Sequence, residues 1–310
     1  MIDEVVPQDY FFFGLRLSSS FELPSIPLWP AMDSEGTPDI TIRFGEVHAS
    51  LADPIWSSPF VQIGRDKSAL VNVATVARFW LPDRSQIVIQ MSPGAELFEV
   101  EAFLIGTVAG LVLHQRGLLP LHGSCVVLDG RAISISGTSA SGKSAIAASL
   151  VRRGARLLGD DLCVLHASIN GLTVVAGSMR ARLWPDVLDR FEIPPEQRLS
   201  TRLEHGKHAA ILPAADARAW PLHLLVRIRL NDTVADPMLE RVHGLDSLFP
   251  PDSLVYQRKI GQLWGNAATE FSGLTALARN ASRFSLRRTK VLDHLEQCTD
   301  LILKAFREEA

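Results

Sequence analysis

Between residues 137 and 144 the chain reads Gly-Thr-Ser-Ala-Ser-Gly-Lys-Ser, the spacing G-x-x-x-x-G-K-[ST]. No other stretch restricts the fold so strongly. Such a string serves its purpose only where a strand runs into a glycine-rich turn and the turn opens a helix. The glycines let backbone N–H groups turn inward. The helix behind them points the positive end of its dipole at the same spot. The flanks agree with this demand. Arg131-Ala-Ile-Ser-Ile-Ser reads as the strand, and Lys143 to Arg153, followed by Gly154, as the helix. Gly137, Thr138, Ser139, Ala140, Ser141, Gly142, Lys143, Ser144 and Ala145 are therefore expected to cradle phosphates. Lys143 would reach the β and γ phosphates, and Ser144 would ligate Mg²⁺. The expected ligand is a nucleoside triphosphate, ATP or GTP, with Mg²⁺.

Around this loop the chain divides into two parts. Residues 1 to about 90 are strand-rich. Ile40-Thr-Ile-Arg-Phe alternates apolar and polar residues, as a half-buried strand does. Ala77-Arg-Phe-Trp-Leu and Gln86-Ile-Val-Ile-Gln flank Pro82-Asp-Arg-Ser and predict a hairpin. A helix follows from about Glu96 to Gln115, apolar on nearly every side, and Gly117 ends it in a left-handed cap. From residue 118 short Val-, Ile- and Leu-rich strands alternate with helices, an α/β pattern. Residues 231 to 253 read as long loops. Val291, Leu295, Cys298, Ile302 and Phe306 recur at helical spacing and predict an amphipathic helix. The expected division is a strand-rich α+β domain over 1–95 and a P-loop domain over 96–310.

Composition removes several classes. The net charge of −3 gives no basic surplus for nucleic acid. Cys125, Cys163 and Cys298 are odd in number and suit a reducing cytoplasm. Met1-Ile-Asp-Glu-Val-Val lacks the pattern of a signal peptide. The apolar stretch Phe103 to Leu113 is short for a bilayer. No nucleic-acid or membrane partner is expected.

Two features stand beside the loop. Asp129-Gly130 between apolar runs predicts a two-residue type I′ hairpin. Leu128 then pairs with Arg131, and the same register carried outward sets His122 opposite Gly137. Cross-strand neighbours have Cβ atoms about 5 Å apart, so an imidazole would reach the edge of the phosphate site. Second, Arg156-Leu-Leu-Gly-Asp-Asp-Leu-Cys-Val-Leu reads as an apolar strand holding Asp160 and Asp161. Adjacent strand residues face opposite sides, so both carboxylates serve one site only if the chain bends, and Gly159 would provide the bend. One carboxylate would hold metal and the other accept a hydroxyl proton.

Weaker candidates are Arg180 and Arg182, which alternate on a predicted strand and would contact phosphate or an acidic substrate. Lys207, in His205-Gly-Lys-His, would close over a γ-phosphate from a loop. His205 and His208 have no third ligand at metal-site spacing. Arg279, Arg283, Arg287, Arg288 and Lys290 form a basic run that reads best as solvated surface.

Leu121-His-Gly, then Gly137 fifteen residues beyond His122, then Asp160-Asp161, together resemble the HPr kinase/phosphorylase family and its bacterial serine-kinase relatives. The likeness is strongest over residues 114 to 166. It implies an α/β P-loop domain of the type shared with phosphoenolpyruvate carboxykinase. By position it implies Asp160 as general base, His122 as the group that pairs with and tunes it, Asp161 as a metal or supporting group, and Lys143 and the loop as phosphate ligands. The family's later signature, Glu-x-Arg-Gly-Leu-Gly, is replaced here by Ser178-Met-Arg-Ala-Arg-Leu-Trp-Pro-Asp, so the metal-binding glutamate and the segment tied to the reverse reaction are missing. That segment and Gln115-Arg-Gly-Leu-Leu-Pro-Leu-His-Gly are similar to HPr-kinase-like proteins associated with ribosomally made peptides, including lasso-peptide tailoring kinases. The resemblance implies an ATP- and Mg²⁺-dependent kinase acting on a serine hydroxyl of a peptide or small protein, in the cytoplasm, as a homo-oligomer. A kinase of free serine or another metabolite, and a non-catalytic nucleotide-binding module, are the alternatives.

Overall fold

A computed structural model describes residues 7–30, 36–168, 171–195, 198–200, 206–243 and 254–309. Met1 to Val6, His205 and residues 244–253, about which expectations were stated above, lie outside the described residues.

The chain forms two compact units. One holds residues 1–118 and 257–269, the other 119–256 and 270–310. The expected division at 95/96 is thus displaced by a whole helix. The reason is packing. Helices α1 (Leu97–Phe103) and α2 (Ala109–Gln115), joined by a π-helical stretch over Leu104–Val108, belong with the strands before them. Phe103 meets Phe79 with ring centroids 6.5 Å apart, and the buried Glu101 accepts bonds from Ser25 N (2.8 Å) and Ser25 Oγ (2.7 Å). Asn266 Nδ2 donates to His114 O at 2.7 Å, which ties the 257–269 segment to the same unit. The apolar stretch read as short for a bilayer therefore sits in a longer helix, Leu97–Gln115. By length and composition that helix could cross a membrane, and most of it is buried in the protein.

The first unit is built on one eight-stranded sheet of β1 (Gln8–Phe12), β2 (Leu15–Ser19), β3 (Ile40–Phe44), β4 (Pro54–Ser57), β5 (Val61–Gly64), β6 (Ala69–Val73), β7 (Ala77–Leu81) and β8 (Gln86–Met91), in the order β1-β2-β3-β8-β7-β6-β5-β4. The predicted β7–β8 hairpin is present, with Ala77 opposite Met91. Ile40 and Ile42 are buried and Thr41 is exposed, as the alternation required.

The second unit carries β9 (Leu119–His122), β10 (Ser124–Leu128), β11 (Arg131–Gly137), α3 (Lys143–Arg152), β12 (Arg156–Gly159), β13 (Leu162–Ser168), β14 (Gly171–Val175), β15 (Arg180–Leu183), α4 (Pro185–Arg190), β16 (Arg198–Ser200), β17 (His208–Ile211), β18 (Trp220–Leu230) and β19 (Met238–Arg241). Helix α5 (Arg258–Leu263) lies in the 257–269 segment of the first unit, and α6 (Ala267–Asn280) starts in that segment and continues into the second unit, where β20 (Ser282–Arg288) and the last helix, α7 (Leu295–Glu308), follow. The long strand β18 joins two sheet halves. It runs parallel to β11 on one side and to β20 on the other, and its first residues pair with β14. Ile133, Ile135, Ile146, Leu150, Leu224, Val226, Leu286, Ile302 and Phe306 close the core between these strands, α3 and α7. Val291, expected on the buried stripe of the last helix, is instead exposed ahead of it. The expected loop over 231–253 contains β19, which pairs antiparallel with β20. A short strand with two charged residues gives little apolar pattern to read.

Candidate functional site

The hairpin at Asp129-Gly130 forms as the sequence predicts. Both residues have positive φ, +47° and +75°, and Leu128 faces Arg131. The register holds out to Ser124 opposite Ile135 and then ends. Gly123 breaks it. A Cβ there would stand 2.5 Å from Ile135 O, so only glycine lets the backbone cross so close to β11. Beyond it β9 leaves for another partner, and His122 faces Leu162 of β13 rather than Gly137. The expected His122–Gly137 pairing is therefore wrong.

The imidazole nevertheless lines one cavity with the loop. That cavity, of about 630 Å³, is walled by Ser139 to Ala145, His122, Asp161, Arg182, Trp184, Lys207 and Arg288, among others. His122 stacks on Tyr256, ring centroids 5.6 Å apart. Burial first, and the Lys143 charge second, lower its pKa to about 4, against the opposing pull of Asp160. It is neutral at pH 7.

The loop has the shape its glycines demand. Gly142 sits at φ +97° and caps α3. A Cβ on Gly137 would lie 2.8 Å from Ser141 Oγ and 3.1 Å from Ile228 O. Ala140, at φ +60°, takes the left-handed conformation without being glycine. Lys143 is buried and folds back on the loop, donating to Gly137 O and Thr138 O at 3.0 Å each. Burial lowers its pKa to about 8, Asp160 opposing and Lys207 and Arg182 assisting. Ser144 and Ala145 stand in the first turn of α3 on the cavity wall.

Asp160 and Asp161 occupy the turn between β12 and β13, not a strand. The bend is at Asp161, φ +67°. Gly159 has a different role, because its Cβ would meet Ala176 Cβ at 2.7 Å. Asp160 Oδ1 accepts Ser124 Oγ at 2.5 Å, and Oδ2 accepts Arg182 N at 2.9 Å. Asp161 is ion-paired with the Arg182 guanidinium, and its carbonyl accepts Gly123 N at 3.2 Å. The direct His122–Asp160 pairing is replaced by Ser124, a residue the sequence reading passed over. The influence between the two runs from Asp160 to His122, whose pKa the carboxylate pulls upward against burial.

Arg180 and Arg182 part company. Arg180 is buried within β15 and off the cavity wall; Arg182 is half exposed and on it. Lys207 lines the cavity as well, its Nζ 5.5 Å from the centre of the Trp184 ring. The basic run does not hold as solvated surface: Arg288 is buried, on the cavity wall, while Arg279 and Lys290 are exposed. The signal for this was available, because Phe284, Leu286 and Arg288 share one strand parity and the first two are core residues. Cys125 and Cys163, far apart in sequence, come within 3.1 Å at sulfur.

These residues fit a Mg-nucleotide. The cradle at Gly137 and Gly142 would be filled by any Cβ, and Arg288 keeps a buried donor without a partner. Among the described residues no cluster of three His, Cys, Asp or Glu could hold a metal alone. Mg²⁺ does not need one, since it takes one or two protein oxygens and completes its shell with phosphates and water.

No family model matches the chain, and no curated protein matches it either. Among solved structures it is similar to the Hpr(Ser) kinase/phosphatase from Coxiella burnetii, with 14 % identity and a TM-score of 0.34 over 61 % of this chain and 91 % of that one. At that distance the likeness carries no argument, and the reading of the site rests on its own geometry.

Proposed function

We propose that the protein is an ATP- and Mg²⁺-dependent kinase that transfers the γ-phosphoryl group to a serine hydroxyl of a peptide or small protein. The observation that carries this reading is the meeting, in one cavity, of a strand–loop–helix phosphate cradle and its buried Lys143 with Asp161, the residue that adjoins Asp160 in the aspartate turn. Pure nucleotide binding needs the first and not the second.

The loop N–H groups and Lys143 would hold the phosphates, Lys143 exchanging Gly137 O and Thr138 O for phosphate oxygens. Ser144 Oγ and Asp161 are the groups that would hold Mg²⁺, which when bound neutralises charge on the β and γ phosphates. Arg182 now occupies Asp161, and being half exposed it has room to swing aside. Asp160 would take the acceptor's proton. Its two oxygens each accept one bond here, from Ser124 and Arg182, and each keeps a lone pair for a second donor. In the transfer the acceptor Oγ bonds to the γ-phosphorus, the bridging P–O bond breaks, ADP leaves and the hydroxyl proton passes to Asp160. Neutral His122 walls the site and adds no charge to repel or bind phosphate. Trp184, 44 % exposed at the cavity, offers an apolar surface suited to a peptide side chain.

The test is incubation of the full chain with Mg-ATP and serine-bearing peptides, read by mass. A gain of one phosphate on serine supports the reading. Transfer to free serine but to no peptide would move the protein to the metabolite kinases, and tight nucleotide binding with no acceptor at all would make it a binding module.

A further inference from the structure

Arg288 ends β20, at the carboxyl edge of the parallel strands β11, β18 and β20. It faces Leu230 of β18, two residues past the Ile228 that faces Gly137. Ligands of open α/β sheets bind at that edge. The residue is 4 % exposed. Nε donates to Thr289 O at 2.8 Å and Nη2 to Val291 O at 3.1 Å, which fixes the plane of the guanidinium. Nη1 is buried and has no hydrogen-bond partner. It faces the phosphate loop: a Cβ on Gly142 would stand 3.1 Å from it.

A guanidinium keeps its charge wherever the protein is folded. Burying that charge without a counter-ion is costly, and leaving one donor unmade adds to the cost. No carboxylate among the described residues pairs with Arg288. Its two carbonyl bonds hold the group still but do not neutralise it. An oxyanion seated at the start of α3 would satisfy the donor and the charge together.

We propose that Arg288 is an additional phosphate ligand, its Nη1 donating to a non-bridging oxygen of a polyphosphate held by the loop. This rests on the nucleotide-binding reading above and extends it to a residue 144 positions beyond Ser144, on a different strand. The ligand class is a chain of two or more phosphates, whether carried by a nucleoside or free. Arg288 recognises the phosphates and not the base.

The experiment is calorimetric titration of the full chain with Mg-ADP, Mg-pyrophosphate and adenosine, for the wild type and for Arg288→Met, Arg288→Lys and Lys143→Met. Arg288→Met keeps the stem and removes the donors. It is expected to weaken ADP and pyrophosphate alike, by about 10- to 100-fold, the range for a hydrogen bond to a charged group. Arg288→Lys should fall between. ADP affinity within about threefold of wild type in Arg288→Met overturns the proposal while leaving the loop reading intact, provided Lys143→Met has lost binding. Weakened ADP with unchanged pyrophosphate also overturns it, since the guanidinium would then serve the nucleoside. If Arg288→Met fails to fold, as judged by its melting transition, Arg288→Lys decides by the same criteria. A wild-type chain that binds neither phosphate ligand overturns both readings.

Discussion

Ser124 Oγ donates to Asp160 Oδ1 over 2.5 Å, one residue past the glycine that ends the β10–β11 register. The bond orients the carboxylate proposed as the base. Ser124→Ala removes a part-buried hydrogen bond to a charged group and should cost about 1.5–3 kcal/mol of stability, read by chemical denaturation. Asp160→Asn should keep nucleotide affinity and lower turnover at least 100-fold. Turnover within threefold of wild type would move the base to another group, Asp161 first.

Gly123→Ala would place a methyl carbon 2.5 Å from Ile135 O, where the obstacle is backbone and cannot rotate away. A loss of about 1–3 kcal/mol is expected on unfolding. Because His122 is the preceding residue, the His122–Tyr256 stack should loosen too, visible as changed ring shifts of His122 in NMR spectra. Wild-type stability and shifts would mean the approach is wider than described.

Lys143 has its pKa lowered by burial to about 8. The unfolded chain binds this proton up to about pH 10.4. Between those values the unfolded state holds more protons, so stability of the nucleotide-free protein should rise with pH from 8 toward 10. Phosphate binding needs the charged form, so ADP affinity should fall as pH passes about 8. Lys143→Met should flatten the stability trend. An ADP affinity constant from pH 7 to 9.5 would contradict the assignment.

His122 behaves in the same direction at lower pH. Its folded pKa of about 4 lies below the ordinary value of 6.5, so it contributes stability that is complete above pH 6.5 and lost as pH falls toward 4. Its ring should show no titration in NMR between pH 5.5 and 8. Lys143→Met, which removes the second cause of the shift, should raise the midpoint. A midpoint near 6.5 in the wild type would show that the ring is solvated.

What could be read from the sequence was what short stretches of chain decide. The loop at 137–144 must be flanked by a strand and a helix because its glycines and helix dipole have no use otherwise, and β11 and α3 are there. Asp129-Gly130 set a hairpin because both residues tolerate positive φ. The rest depended on residues distant in sequence. His122 was placed by extending a register, and a backbone contact between Gly123 and Ile135 ended that register. The helix 97–115 has no sequence mark of the side it joins, and packing on Phe79 and Ser25 decided it. Arg288 looked like one of five surface cations until β20 was laid beside β18, which turned it inward toward the loop. Local dihedral preference is written in a few adjacent residues. Which strand lies beside which, and so which charges share a cavity, is settled by burial of the whole core.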